Sequence, residues 1–507
     1  MRLFTLFAAS TALVLATAPA LSAQDKADDS KPAAKADHEG KDKGKPDLPP
    51  LPADKSVRQS AVIGGRTISY TATVGTLPIY NDDGKKIAEV VYTAYTVPGN
   101  DPRRPVTFAF NGGPGASSVF LNMGAIGPKQ VSFGEDGNAP SDSPIAHDNP
   151  SSWLDMTDLV FIDPIGTGFS RSLEDKEQAK KDFFNADADI KYLSRAVYDW
   201  LLKNQRMRAR KFVIGESYGG YRVPRIAHEL QTQLGVGVNG IFMVSPYLDP
   251  PSTAHDNGLS PLPWMIDLPS MAAGHLEREG KLTPAAMSQV EAYTQSQFVT
   301  DLLAGRSDPA AIDRLTQHVS DLTGLDPKLV RRMDGRIDED TYLREIHRDD
   351  QKIGSYYDSN VTSYDAFPSS ATRKSGDPIL EASIAPLTSA MVDFDTRVVG
   401  WKVDARYNAL SYAVNEAWDD AKLDDKPVQA LRQAIAADPN MAVMIAHGYN
   451  DLSCPYFGSK LILEQMPRFG SDQRVQLQVY PGGHMFYARP GSNASFKEDA
   501  RALIERG

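Results

Sequence analysis

The 507-residue sequence has a single cysteine, Cys454. That excludes an intrachain disulfide and any cysteine-based zinc cluster. It has no basic surplus either: 54 lysines and arginines stand against 65 aspartates and glutamates, a formal net charge of −11. General nucleic-acid binding depends on neutralising phosphates, so this balance argues against it. Beyond the N-terminal segment no apolar run reaches the roughly 20 residues of a membrane span, so no stable membrane insertion is expected. No histidine, cysteine and aspartate cluster has metal-ligand spacing, and no internal repeat is present. Neither a metal nor an organic cofactor is expected. What the chain does have is 41% hydrophobic residues and 23% charged, enough apolar surface to exclude disorder throughout. Its length gives a soft expectation of two to three domains.

The first residues read as an address. Arg2 precedes an apolar stretch from Leu3 to Leu15, followed by small residues at Ala18, Ala20 and Ala23. This is the pattern of a secretory signal peptide over residues 1–23, with cleavage after Ala23 or, as second choice, Ala20. An exported protein, periplasmic or secreted, is expected. Residues 24–55 are rich in Lys, Asp, Ala, Pro and Gly and have hardly an apolar residue before Leu48. Such a stretch buries too little surface to offset chain entropy and reads as a disordered tether.

Order is expected from residue 56. RTISYTATVGTLPIY and IAEVVYTAYTV, separated by NDDG, read as two antiparallel strands and a turn. Short apolar runs follow: VTFAF (106–110), LVFI (159–162), FVI (212–214), GIFMV (240–244) and MAVMIA (441–446). Runs of this kind are strands buried on both faces. Helical periodicity lies between several of them, as in residues 185–205. The alternation predicts an α/β fold with a mostly parallel sheet covered on both sides. Between about Pro250 and Asp395 the rhythm stops, and the segment reads as helical and Pro-broken. We expect a first core part over 56–250, a helical cap insertion over 251–394 and a second core part over 395–507.

Gly215-Glu216-Ser217-Tyr218-Gly219 follows an apolar strand and precedes a helical stretch. A G-x-S-x-G turn in that context lifts the serine hydroxyl to the carboxyl edge of the sheet. A serine nucleophile needs a base, and the base an orienting acid, in the chain order Ser, Asp or Glu, His. Of nine histidines only His484 lies beyond Asp451. Both follow strand-like runs, so Ser217, Asp451 and His484 are the expected triad. Asp472 is the competing acid, but no strand delivers it. His447 precedes Asp451 and reads as structural. The oxyanion needs preorganised amides. One is expected at Tyr218 and another in the loop Asn111-Gly112-Gly113-Pro114-Gly115, where glycines allow close approach.

Taken together, NGGPGASS, WLDMTDLVFIDPIGTGFSRS, GESYGGYRVP, the Asp451 segment and GGHMF resemble the serine carboxypeptidase family of α/β-hydrolase exopeptidases, here as a bacterial exported member. The resemblance implies amides of Gly113 and Tyr218 for the oxyanion. It implies that Asn111 and Glu216 bind the C-terminal carboxylate of a peptide substrate, and that the insertion caps the site. Cys454 resembles a free thiol that some members carry near the site, or is simply a small buried residue. Two departures stand out: the lack of disulfides, and Gly124-Ala125-Ile126-Gly127-Pro128 in place of a pattern like FELGP. Ala125 sits where a second acid is expected. The implied activity is release of C-terminal amino acids, favoured at acid pH. The alternative is an esterase, amidase or acyltransferase on the same triad, and an inactive binding protein is a third reading. The triplets at Asn360 and Asn493 match a glycosylation pattern weakly. Trp153, Trp264 and Trp401 read as core in preference to pocket.

Overall fold

The structure is a computed structural model and describes residues 48–99, 101–131, 145–248, 260–419, 426–470 and 474–506. The signal segment with Ala20 and Ala23, most of the tether, and Asp472 lie outside the described residues.

Strands Lys55–Ile63 (β1), Arg66–Tyr80 (β2) and Lys86–Thr96 (β3) form an antiparallel meander. The β2–β3 turn is the expected NDDG. The Asn81 side chain accepts from the amides of Asp83 and Lys85, the usual way such a residue closes its own turn. The tether expected to run to Lys55 stops short of it. Asp54 accepts from the Thr76 amide at 3.2 Å and the Tyr92 hydroxyl at 2.8 Å, and pairs with Lys203 at 2.6 Å. Leu51 packs against the core.

The rest of the sheet is built from Val106–Phe110 (β4), Asp158–Ile162 (β5), Lys211–Glu216 (β6), Gly240–Val244 (β7), Ala442–Gly448 (β8) and Val475–Tyr480 (β9). The strand order is β1-β2-β3-β5-β4-β6-β7-β8-β9. β5 runs antiparallel to β3, and β5 through β9 are parallel. Every residue of β4 to β7 is buried, which is why these strands read as unbroken apolar runs. Alternate side chains feed two cores. Phe212, Ile214 and Phe242 join Trp153 and Phe496 on one face. Val213, Ile241 and Met243 join Trp200 and Leu431 on the other.

The helices covering these faces are Ala186–Lys203 (α1), Tyr218–Thr232 (α2), Lys426–Ala437 (α5) and Pro490–Arg506 (α6). α1 starts at Asn185, whose side chain caps the Ala188 amide at 3.0 Å. Among the described residues no helix is long and apolar enough to cross a membrane.

The insertion between β7 and β8 begins with Leu262–Arg278 (α3) and has a core of its own, with Leu268, Leu315, Val319 and Leu343. Trp264 packs there, whereas Trp153 and Trp401 are fully buried in the main core. Two features depart from expectation. Lys352–Gly354 and Thr362–Tyr364 pair as a small antiparallel hairpin, so strands recur before residue 441. Helix Pro378–Asp393 (α4) runs directly into the helical turn Phe394–Val399, and Leu387, Met391 and Phe394 are buried in the main core. A boundary at 394 would cut this unit. Helical periodicity predicts a buried face without saying which core receives it.

At the amino end of the parallel strands Asp158, the first residue of β5, is 1% exposed. It accepts from the Val97 amide at 3.0 Å, from Arg104 Nε at 2.8 Å and from the Arg206 guanidinium.

Candidate active site

β6 ends at Glu216 and α2 begins at Tyr218, so Ser217 is the whole connection. Its backbone has φ 60° and ψ −125°. A β-carbon in that region costs about 1–3 kcal/mol and persists only where the surroundings impose it. Here the Ser217 amide donates to Val244 at 2.9 Å, and its carbonyl accepts from Gly220 at 2.8 Å and Tyr247 at 3.2 Å. The half-buried Ser217 therefore sits at the carboxyl edge of the sheet.

β8 leads into Asp451 and β9 into His484. His484 Nδ1 and Asp451 Oδ2 are 2.8 Å apart, and both residues are buried. The other carboxylate oxygen of Asp451 accepts from the amides of Ser453 and Cys454, each at 2.9 Å. Burial pulls the proton affinity of His484 down, but the adjacent Asp451 charge more than offsets it, so its pKa lies above the ordinary value. The His484 loop is tied to the end of β7, the neighbour of the nucleophile's strand, through Ser245, whose hydroxyl donates to the His484 carbonyl at 2.9 Å. From the insertion, the Tyr357 carbonyl accepts from the His484 amide at 2.5 Å, and the Tyr357 ring lies edge-on to the imidazole at 5.0 Å. His447 bonds Ser459 at 2.8 Å, and burial pushes its pKa down to about 3, the behaviour of a structural histidine. Cys454 is buried beside this pair, and burial raises its thiol pKa.

β4 runs into Asn111 and the glycine loop. A β-carbon on Gly112 would come within 2.5 Å of the Tyr218 amide nitrogen, so only glycine lets the two backbones lie this close. Gly113 has φ 98°, a conformation that side chains resist. The Tyr218 amide is the first of α2 and has no intrahelical acceptor. The loop carrying Gly113 and the amide of Tyr218 are therefore neighbours, as expected of a pair of oxyanion donors.

Asn111 and Glu216, 105 residues apart in sequence, meet in the interior. Asn111 Nδ2 donates to Glu216 Oε2 at 2.6 Å, and Asn111 Oδ1 accepts from the Leu121 amide at 3.0 Å. Glu216 is 3% exposed. Burial pushes its pKa up to about 7; the nearby His484 and the hydrogen bonds from Tyr487 and Asn111 lower it, and Asp451 raises it.

Two residues at the site were not among those picked out from sequence. Tyr487 donates to both oxygens of Glu216, at 2.9 Å each. Arg222 is fully buried, donates to Asp189 at 2.5 Å and to the Asn111 carbonyl, and lies 4.7 Å from the Tyr218 ring centroid. Arg222 carried a signal, a charge inside an otherwise buried helix run; Tyr487 carried none. Of the two weak triplets, Asn493 is buried and donates to the Ala125 carbonyl at 3.2 Å, which leaves no room for a glycan.

The family model described as serine carboxypeptidase matches residues 79–255, which include Asn111, Glu216 and Ser217. A serine carboxypeptidase-like protein of Arabidopsis thaliana is 27% identical over 206 residues, 39% of this chain and 39% of that relative. A pheromone-processing carboxypeptidase of Ogataea parapolymorpha is 28% identical over 194 residues, 37% of this chain and 27% of that relative. The matched part thus spans well under half the length of these curated relatives. Among solved structures, a prohormone-processing carboxypeptidase from Saccharomyces cerevisiae matches with a TM-score of 0.53 at 15% identity, covering 86% of this chain and 90% of that one. At that identity the likeness is one of fold: the α/β-hydrolase fold, with a mostly parallel sheet flanked by helices. The resemblance to serine carboxypeptidases read from the motifs is borne out. Asp451 and His484 lie outside the residues that the family model matches, so their pairing rests on geometry.

Proposed function

We propose that the chain is a serine carboxypeptidase, taking amino acids one at a time from the C-termini of peptides. Ser217 Oγ attacks the carbonyl of the last peptide bond, and its proton passes to His484. Asp451 holds the imidazole by Nδ1 and stabilises its charged form. Amides of Gly113 and Tyr218 take up the charge on the carbonyl oxygen. His484 returns the proton to the leaving amino group, and water, deprotonated by His484 in turn, releases the acyl group from Ser217.

The observation that carries this reading is the buried Asn111–Glu216 pair directly before the nucleophile. A general esterase has no need of a buried acid there. A carboxyl group can bind a substrate carboxylate only by donating a proton, since two carboxylates repel. Raised to about 7, Glu216 keeps its proton through the acid range and can donate it. Substrate affinity then falls as pH rises through that value. The acid preference rests on Glu216 alone, because His484 must be neutral to act as base and Asp451 holds it protonated. The two requirements oppose each other: acid pH favours binding through Glu216 and shows in KM, whereas kcat rises with pH as His484 loses its proton.

The pattern at Arg2 to Ala23 supports export before the enzyme acts. Ala125, in place of a second acid, favours an esterase, amidase or acyltransferase as the second reading. Mass spectrometry of peptide digests separates the two. Stepwise loss from free C-termini, with amidated peptides spared, is the expected result. Equal attack on free and amidated ends, or hydrolysis of esters alone, sinks the carboxypeptidase assignment.

A further inference from the structure

Tyr487 is three residues past His484, in the helical turn Phe486–Ala488. Its side chain is 1% exposed and reaches back across the carboxyl edge of the sheet to Glu216. Its ring lies against the Phe120–Ile126 helical turn at Gly124. Gly124 and Ala125 are fully buried there, and a β-carbon on Gly124 would meet the Tyr487 ring at 3.3 Å. The Ala125 carbonyl is held by Asn149 at 2.9 Å and Asn493 at 3.2 Å, which fixes the turn beneath the ring.

We infer that Tyr487 is a positioning and specificity-determining residue, its phenol hydroxyl standing in for the second acid that Ala125 lacks. This rests on the carboxylate-binding role proposed for Glu216. Asn111 donates to Oε2, so the proton of the neutral acid belongs on Oε1, and Tyr487 bridges both oxygens and fixes the plane of the group. A phenol differs from an acid in one respect that matters. Burial and the adjacent Glu216 raise the pKa of Tyr487, so it stays a donor at every working pH. The subsite therefore titrates once, through Glu216, and not as a pair of acids sharing a proton. The other charged groups bearing on Glu216 are His484 and Asp451 of the triad.

The test compares KM and kcat of wild type and Tyr487→Phe over pH 4–9, on peptides with free and with amidated C-termini. Losing one hydrogen bond to this group should raise KM for free-carboxylate peptides about tenfold at acid pH, with little change in kcat or for amidated peptides. The alkaline rise in KM should also move to higher pH, because the lost donor favoured the ionised form of Glu216. A filler of space would move neither the profile nor the free-to-amide ratio. In a Glu216→Gln background, where nothing titrates, adding Tyr487→Phe should leave KM flat with pH. If wild type shows the alkaline rise and Tyr487→Phe superimposes on it, the role of Tyr487 is wrong and the Glu216 subsite stands. If wild-type KM is flat and free and amidated ends react alike, the subsite itself is wrong and this inference falls with it.

Discussion

Asp158 and Glu216 are two buried acids at opposite ends of the same parallel sheet, and their surroundings differ in kind. Asp158, at the amino end of β5, is met by the guanidinium groups of Arg104 and Arg206 as well as a backbone amide. Glu216, at the carboxyl end of β6, takes its hydrogen bonds from neutral donors, Asn111 and Tyr487. A carboxylate with two guanidinium partners ties neighbouring elements together. Burial, working against its neutral donors, raises the pKa of Glu216 to about 7, so its proton remains available to a ligand. The difference teaches that this acid, raised in pKa by burial, shares its edge of the sheet with the strained backbone of Ser217.

The largest break between the two ends comes from Ser217→Ala. Turnover should fall by roughly a million-fold and covalent labelling by a fluorophosphonate probe should vanish, with Tm unchanged. Labelling that persists at another serine defeats the assignment of the nucleophile.

Glu216→Gln sharpens the contrast through stability. The ordinary pKa of this group is 4.5 and burial raises it to about 7 in the folded state. The folded protein then holds one more proton than the unfolded chain between those values, so stability falls as pH rises across that window. At 1.36 kcal/mol per unit the loss is about 3 kcal/mol by pH 8. Glutamine has nothing to ionise, so the variant should match wild type near pH 4 and exceed it at pH 8 in urea unfolding. It should also flatten the alkaline rise in KM for free-carboxylate peptides. A wild-type stability that is level from pH 5 to 8 contradicts a neutral Glu216.

Asp158→Ala should act in the opposite sense. It leaves Arg104 and Arg206 without their partner, and a broken buried pair costs about 3–5 kcal/mol. Their side chains are 23% and 18% exposed, so water screens part of this and about 2 kcal/mol is the expected loss. The site lies at the far end of the strands, so kcat/KM of the folded fraction should change less than about twofold. A large kinetic effect at unchanged stability would erase the distinction between the two ends.

The smallest effect is expected from removing residues 24–50 of the processed chain. Residues 48–50 are exposed, so activity and stability should hold within about 0.5 kcal/mol. Extending the cut through Lys55 removes the contacts of Asp54 with Thr76, Tyr92 and Lys203 and should cost about 1–2 kcal/mol.

Much of this was legible in the residues because the signals were local. The buried strands β4 to β8 are short apolar runs, and the Ser217 turn is five consecutive residues. Asp451 and His484 each follow a strand, so chain order alone selected a pair that lies 2.8 Å apart. What was not legible depends on long-range packing. β1 starts inside a stretch of low-complexity composition, and Asp54 just before it is held by partners some 20 to 150 residues away, Thr76 and Lys203. α4 looks like any helix of the insertion, yet buries its apolar face in the main core. Tyr487 meets Glu216 across 271 residues, and Ala125 recorded only that something was missing. A pattern within one segment reports the missing acid but not the group that takes its place.

The chain order at this edge has an evolutionary corollary. Glu216 adjoins Ser217, and Tyr487 lies on the turn that follows His484. Glu216 and Tyr487 are thus each linked to a residue proposed to do the chemistry by at most two intervening residues, too few for an insertion to re-aim one alone. Loop-length variation, the common route by which such scaffolds diversify, is closed to this subsite. Descendants with a different choice of substrate end would arise by point replacement at positions 111, 216 and 487, and saturation libraries at those three codons are the place to look for them.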